Sequence, residues 1–205
     1  MTLDTPSVQS VGDLRPIPKP GTSYRKAAVL LLLYPRAGED YIVFMRRTDT
    51  VEHHKGQISF PGGSQDPTDP DITYTALREA HEELGIDPAQ VEVVATLEDV
   101  YVPVSWFVIT PVVARLKAGV DPSQIVFSPN PGEVAEIIEV PVRALRDEAT
   151  HHVELRTVNE VTHTIHYYTY GPYNIWGATG RIIYEYLRGQ GLGVRDQGPA
   201  STQNP

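Results

Sequence analysis

The chain has no cysteine and comparatively few basic side chains. None of its 205 residues is cysteine, so it has neither a disulfide framework nor a thiol nucleophile, which fits a reducing compartment. The 17 Lys and Arg residues are outnumbered by 26 Asp and Glu, and the formal net charge is -9 at pH 7. Because affinity for nucleic acid comes mostly from basic residues that neutralise phosphates, this balance argues against a nucleic-acid partner.

Long hydrophobic runs are missing as well. The longest run, residues 27–34, is too short to cross a bilayer. The amino terminus lacks the basic-then-apolar layout of a signal peptide. We therefore expect a cytoplasmic protein with no membrane partner.

Length and composition favour one domain. A chain of 205 residues with 40% hydrophobic content is long enough to bury a core. Residues 1–23 carry several prolines among polar residues, and residues 189–205 are rich in Gly, Gln, Ser and Pro. We expect a flexible amino-terminal segment over 1–23, a single domain over 24–188 and a flexible carboxy-terminal tail over 189–205.

Short apolar runs separated by turn residues predict a mixed α/β fold. Residues 27–34 are typical of a buried strand, with 41–46 as its hairpin partner. The pattern predicts further strands at 91–102, 107–116 and 133–140, a late hairpin of 151–156 with 162–170 around Asn159-Glu160, a helical turn over 142–146 and a closing helix over 175–188. Because strands and helices do not alternate regularly, we expect a mixed sheet covered by helices on its faces.

Three carboxylates dominate the helix that these strands flank. Glu79, Glu82 and Glu83 stand at i, i+3 and i+4, so they share one helix face with Cβ atoms roughly 5–6 Å apart. They repel one another, and two of them lie in the last turn before Gly85, where the helix dipole disfavours anions. A solvated acidic helix is the plain alternative. Oxygen ligands at this density instead suit Mg²⁺ or Mn²⁺, with a phosphate ester or anhydride as substrate.

The surrounding residues carry a family resemblance. Gly63, Arg78, Glu79, Glu82, Glu83 and Gly85 resemble the Nudix box, the metal-binding loop-helix-loop of hydrolases that cleave nucleoside diphosphates linked to another group. The resemblance implies an α/β/α sandwich with the box helix against the central sheet, and Mg²⁺ or Mn²⁺ as cofactor. The front half departs from the pattern, because Asp69 stands where a Glu is expected and one extra residue precedes Arg78.

The resemblance also implies roles for individual residues. Glu79, Glu82 and Glu83 are the expected metal ligands, joined by the carbonyl of Gly63, and Glu82 is also expected to touch the nucleophilic water. Arg78 is expected to orient the cluster by pairing with a carboxylate. Glu133 stands where family members can supply a further ligand or general base, with an exposed surface glutamate as the alternative.

A narrower resemblance lies around the box. Residues 44–48 and 56–63 are similar to the signature of the coenzyme A pyrophosphatase branch of the family, as are 105–111, 133–136, 140–141 and 175–179. On this basis we predict that Arg47, Arg46 and Gly62 bind substrate. Glu52 stands where the branch usually carries an Arg, so its role and that of Asp69 stay open.

The histidines do not predict a second metal site. The adjacent pairs His53-His54 and His151-His152 would point to opposite faces of a strand, and His81 points away from the carboxylates on the helical wheel. We expect the tyrosines between 167 and 173 to pack between the late hairpin and the last helix rather than to stack on a nucleobase.

Three functions remain open at this point. The first is a metal-dependent hydrolase that converts coenzyme A or acyl-CoA to 4'-phosphopantetheine and adenosine 3',5'-bisphosphate. The second keeps this chemistry on a nucleotide sugar, a dinucleotide or a nucleoside triphosphate. The third is a catalytically silent nucleotide-binding module, against which the intact, mutually repelling carboxylates argue. A homodimer is plausible by resemblance.

Overall fold

The computed structural model describes residues 21, 23–49, 56–103, 105–158 and 161–189. Almost all of the amino-terminal segment and the tail predicted to be flexible lie outside these ranges, as do Glu52, His53-His54 and the turn Asn159-Glu160. The strands are β1 (Arg25–Arg36), β2 (Glu39–Arg47), β3 (Ile58–Ser59), β4 (Gly62–Ser64), β5 (Val91–Thr96), β6 (Val100–Val102), β7 (Phe107–Leu116), β8 (Val134–Pro141), β9 (His151–Val158), β10 (Val161–Tyr170) and β11 (Tyr173–Ile175). The helices are α1 (Ile72–Leu84), α2 (Val142–Arg146) and α3 (Gly177–Gly189), with 3-10 turns at Pro88–Gln90 and Pro122–Gln124.

The larger sheet has eight strands and is mixed. Its main path runs β3-β2-β1-β7-β5, while β8 pairs with β2, β4 with β1 and β6 with β7. The central pair β1 and β7 is parallel, from Arg25 opposite Phe107 to Leu33 opposite Arg115, and the other pairs are antiparallel. The predicted mixed sheet is therefore confirmed.

Strand β1 explains why the longest apolar run has no polar interruption. Leu30 and Leu32 face the core beneath α1, whereas Leu31 and Leu33 face the core beneath α3. A strand covered on both faces needs apolar side chains at every position. The helices thus lie on opposite faces of the sheet, as the α/β/α expectation requires.

Helix α1 begins and ends at residues suited to those positions. Its amino terminus is capped by Asp71, whose side chain accepts a hydrogen bond from the backbone N–H of Tyr74 at 2.8 Å. It ends at Gly85, whose φ of 70° is the left-handed conformation that glycine adopts without a Cβ penalty. Ala76, Ala80 and Leu84 form the buried stripe that packs on the sheet. This packing fixes the rotation of α1 and so the direction of its carboxylates.

A second, three-stranded sheet follows in the order β11-β10-β9. The late hairpin is confirmed by the antiparallel pairing of β9 with β10. The closing helix begins at Gly177 rather than at residue 175, because Ile175 pairs with Tyr168 in this sheet and both side chains are buried in the core. No helix in the described ranges is long and apolar enough to span a bilayer.

Candidate active site

Arg78 connects the loop after β4 to the acidic face of α1. Its Nε and Nη2 donate to the two carboxylate oxygens of Asp69, each at 3.0 Å. Its Nη1 donates to Glu79 at 2.8 Å and to Glu82 at 3.0 Å, and Nη2 also reaches the carbonyl of Ser64 at 3.2 Å. The guanidinium therefore holds three carboxylates and the end of β4 in one arrangement.

Asp69 has a clear structural place, which the sequence left open. Its side chain is only 2% exposed and also accepts from the Thr75 hydroxyl at 2.8 Å and from the N–H of Asp66 at 2.9 Å. The hydrogen bond from Arg78, followed by those from the N–H of Asp66 and the hydroxyl of Thr75, holds the pKa of Asp69 well below its usual range. The Nudix-box pattern leads us to expect a Glu at this position and one residue fewer before Arg78. Asp69 nevertheless meets Arg78 in a two-point contact.

Glu79 lies directly against the backbone of Gly63. A Cβ placed on Gly63 would lie 2.5 Å from the carboxyl carbon of Glu79, so only a glycine leaves room for this carboxylate. Burial raises the pKa of Glu79, while its bond from Arg78 opposes the shift and the charges of Glu82 and Glu133 add to it. The Glu79 carboxylate thus lies against the Cα of Gly63.

Glu83 is buried between two donors from distant parts of the chain. Its side chain is 2% exposed, with one oxygen 2.7 Å from the backbone N of Gly62 and the other 3.3 Å from Nη1 of Arg47. Burial raises the pKa of Glu83 to about 8, although both donors favour the charged form and the charges of Glu79 and Glu133 disfavour it. Arg47 and Gly62 are therefore brought to the carboxylates.

Glu82 and Glu133 occupy more open positions. The Glu82 side chain is 56% exposed and accepts a hydrogen bond from Arg78. Glu133 is half-buried directly before β8, and its carbonyl accepts from the N–H of Thr48 at 2.9 Å. Since the Glu133 charge affects the pKa of both Glu79 and Glu83, all four glutamates belong to one electrostatic cluster.

Arg46 and Arg47 point to opposite faces of the sheet. Arg46 donates from Nε to Glu136 at 3.0 Å, and the Tyr173 hydroxyl donates to the other oxygen of Glu136 at 2.6 Å. The structure thus brings Arg47, but not Arg46, to the acidic cluster. A substrate-binding role for Arg46 stays a prediction.

The donor atoms fit a hard divalent cation. They are carboxylate oxygens and the glycine backbone against which Glu79 packs, a set suited to Mg²⁺ or Mn²⁺. Within the described residues, no three His, Asp or Glu side chains converge closely enough to hold an ion as they stand. Their oxygens accept hydrogen bonds from Arg78, Arg47 and the N–H of Gly62. Ligation by Glu79, Glu82, Glu83 and Gly63 stays a prediction.

The histidines in the described ranges lie apart from this cluster. His151 contacts His166, with 3.0 Å between Nε2 and Nδ1, while its neighbour His152 stacks on Tyr167. The two adjacent side chains therefore take different partners, as strand geometry requires. His81 is exposed on α1.

Comparison with known proteins matches this geometry to one family. The model of the NUDIX domain family matches residues 24–160. The chain is 36% identical over 162 residues to "Uncharacterized Nudix hydrolase NudL" of Photorhabdus laumondii, covering 78% of this chain and 82% of the relative. It is 42% identical over 120 residues to "Peroxisomal coenzyme A diphosphatase NUDT7" of Mus musculus, covering 58% of this chain and 48% of that protein.

A solved structure supports the fold. A MutT/nudix family protein from Enterococcus faecalis superimposes with a TM-score of 0.51 at 14% identity, covering 86% of this chain and 66% of that one. The chain belongs to the NUDIX domain family and is a Nudix hydrolase of the pyrophosphatase type.

Proposed function

We propose that this Nudix hydrolase cleaves the diphosphate linkage of coenzyme A or acyl-CoA, giving 4'-phosphopantetheine and adenosine 3',5'-bisphosphate. The observation that supports the chemistry is the cluster of Glu79, Glu82, Glu83 and Glu133 beside the backbone of Gly63. The similarity to the mouse coenzyme A diphosphatase, which spans 58% of this chain, supports the substrate. The residues around Arg47 and Gly62 that resemble the coenzyme A branch support it further.

The proposed cofactor is Mg²⁺ or Mn²⁺, with Glu79, Glu82, Glu83 and the carbonyl of Gly63 as its ligands. Such an ion would neutralise phosphoryl oxygens and acidify a bound water. Burial is the main cause that raises the pKa of Glu79 and Glu83, and the charges of neighbouring glutamates add to it. A cation would relieve the mutual repulsion. These three carboxylates destabilise α1 when no metal is bound, but they would be useful to a metal-dependent enzyme.

The arginines hold the ligands in place. Arg78 contacts Asp69 at two points and reaches both Glu79 and Glu82, so it fixes the separation of two proposed ligands. Arg47 holds Glu83 and keeps a positive charge at the base of the cluster. In this position the guanidinium of Arg47 would attract a phosphate of the substrate.

Glu82 and Glu133 are the candidates for proton transfer. Glu82 is the most exposed of the helix carboxylates whose ion pairs are described, so its oxygens can contact an entering water. We propose that Glu82 orients and deprotonates the nucleophilic water. Glu133, half-buried across the cluster, is the alternative base.

The test is product analysis by mass spectrometry. The purified chain is incubated with Mg²⁺ or Mn²⁺ and, separately, coenzyme A, ADP-ribose, a diadenosine polyphosphate and nucleoside triphosphates, with Glu82→Gln as the matched control. We expect metal-dependent release of 4'-phosphopantetheine from coenzyme A by the unchanged chain alone. Cleavage of another compound instead would keep the chemistry and replace the substrate. Absence of any cleavage would favour a nucleotide-binding module.

Cytoplasmic location and a homodimer stay predictions. Size-exclusion chromatography with light scattering measures the second directly. A monomer at micromolar concentration would contradict it.

A further inference from the structure

One buried hydroxyl near the cluster lacks a hydrogen-bond partner. Oγ of Ser59 is shielded from solvent, yet no donor or acceptor in the described part of the chain bonds to it. A buried polar atom left without a partner destabilises a protein, so such atoms are uncommon and ask for an explanation. Burial of this hydroxyl therefore calls for a partner that the described residues do not supply in this arrangement.

The strand pattern shows which way this side chain points. Ile58 and Phe60, on either side of Ser59, both belong to the core beneath α3. Successive side chains of an extended strand point to opposite faces, so Ser59 faces α1. Its cross-strand partner Met45 belongs to the core beneath α1, which agrees with this direction.

The same face carries the two donors that hold Glu83. Arg47 lies two residues beyond Met45 on β2, and its N–H bonds to the carbonyl of Gln57, two residues before Ser59. Ser59 and Arg47 are therefore diagonal neighbours, at roughly 7–8 Å in an antiparallel pair, within reach of a side chain. Gly62, the other donor, follows Ser59 by three residues. The hydroxyl thus lies on the same face of the sheet as Arg47, one of the two groups that donate to the Glu83 carboxylate.

We propose that Ser59 is a positioning residue whose hydroxyl donates to the Glu83 carboxylate when that carboxylate turns to bind the metal ion. This inference rests on the proposed function, because it assigns Glu83 as a ligand. As described, the two oxygens of Glu83 take the donors Gly62 and Arg47. If Glu83 holds a cation, a third donor on the same face would keep the carboxylate oriented, as outer partners of metal ligands commonly do.

A purely structural serine would behave differently from this one. If the hydroxyl only supported the fold, its removal would lower stability with or without metal. If it is idle without metal, its removal leaves the metal-free protein as stable or more stable, because an unsatisfied polar atom is gone. Metal affinity alone would then fall.

The experiment compares Ser59→Ala with Ser123→Ala, which removes the same atom from an exposed turn, and with Ser59→Thr, which keeps the hydroxyl. The melting temperature is measured without metal, and the Mn²⁺ dissociation constant by calorimetry. We expect Ser59→Ala to melt at or above the wild-type temperature and to bind Mn²⁺ about tenfold more weakly. Ser123→Ala should match the wild type, and Ser59→Thr should recover affinity to within about threefold.

Two results would overturn the assignment of Ser59: an unchanged Mn²⁺ affinity in Ser59→Ala, or a lower melting temperature of that variant without metal. Affinity in Ser59→Thr as weak as in Ser59→Ala would do the same, because the hydroxyl would then not be the cause. If the wild-type chain itself binds no Mn²⁺, the proposed metal site fails, which is a separate outcome from failure of Ser59.

Discussion

Adding one methyl group to Gly62 or to Gly63 should have opposite consequences, although the two residues are adjacent. Both belong to β4 and both touch a carboxylate of α1, through the N–H of Gly62 to Glu83 and the backbone of Gly63 against Glu79. They differ in backbone conformation and in what a Cβ would meet. We therefore predict that Gly62→Ala impairs folding, whereas Gly63→Ala impairs only the site.

At Gly62 the methyl would meet rigid atoms. Its φ of 155° is unfavourable for residues with a side chain, and a Cβ there would lie 2.6 Å from Cα of Val29 and closer still to the carbonyl of Ala28. Overpacking costs about 1–3 kcal/mol, and a strained backbone conformation adds about 1–3 kcal/mol. A total of about 2–6 kcal/mol lowers the melting temperature of a chain of this size by roughly 4–24 °C.

At Gly63 the methyl would meet the end of a flexible side chain. The Cβ would lie 2.5 Å from the carboxyl carbon of Glu79, whereas ordinary contact begins at 3.4 Å. The carboxylate must therefore retreat by about 1 Å, a displacement that can lower a catalytic rate about 100-fold. Stability should change little, because the Glu79 side chain can rotate.

The assay measures melting temperature without metal, Mn²⁺ affinity and turnover for both variants. The predicted pattern is a large loss of melting temperature for Gly62→Ala, and a nearly unchanged one for Gly63→Ala with weak metal binding and about 1% of wild-type turnover. Full turnover in Gly63→Ala would refute the placement of Glu79 as a metal ligand. Equal melting temperatures for both variants would refute the steric reasoning itself.

Three further predictions concern single side chains. Glu82→Gln should lower turnover by about 10²- to 10⁴-fold and leave the metal-free fold intact or slightly more heat-stable, since a repelling charge is removed; full activity would exclude the assigned role. Asp71→Ala removes the cap that accepts from Tyr74 and should cost about 0.5–2 kcal/mol in urea unfolding, while Mn²⁺ affinity stays at the wild-type value. The hydrogen bond from Tyr173 holds the pKa of Glu136 below its ordinary 4.5. The charged Glu136 side chain therefore stabilises the fold above pH 4.5, and this contribution is lost as the pH falls through the lowered pKa. Glu136→Gln should therefore be less stable than wild type at pH 7 but not under acidic conditions; an equal deficit at both would contradict this linkage.

Much of the fold was accessible from sequence because its signals are local. The run at 27–34 and its partner at 41–46 correspond to β1 and β2, and β7 has the predicted bounds. The short strands β3, β4 and β11 were missed, since two or three residues carry no measurable alternation. The start of the last helix was placed two residues early, because pairing of Ile175 with Tyr168 keeps that residue in a strand.

The site divides in the same way. The sequence alone determined that Glu79, Glu82 and Glu83 share a helix face, because residues three and four apart on a helix are always neighbours. Only the tertiary structure decided that Glu83 is buried between Arg47 and Gly62, which lie 36 and 21 residues away along the chain. Such contacts depend on how the strands and the helix pack. The periodicity of the sequence describes only neighbours within one helix or strand, so it does not predict contacts between residues this far apart along the chain.

The same reason separates residues that look alike in the sequence. Arg46 and Arg47 are adjacent and identical in type, yet one contacts Glu136 and the other Glu83. The register of β2 with β8 shifts between these two arginines, and such an irregularity redirects side chains in a way that the sequence pattern does not reveal. The sequence determined the kind of chemistry, through the residue types and spacing of one helix. The packing of that helix on the sheet decided which arginine and which glycine lie beside its carboxylates.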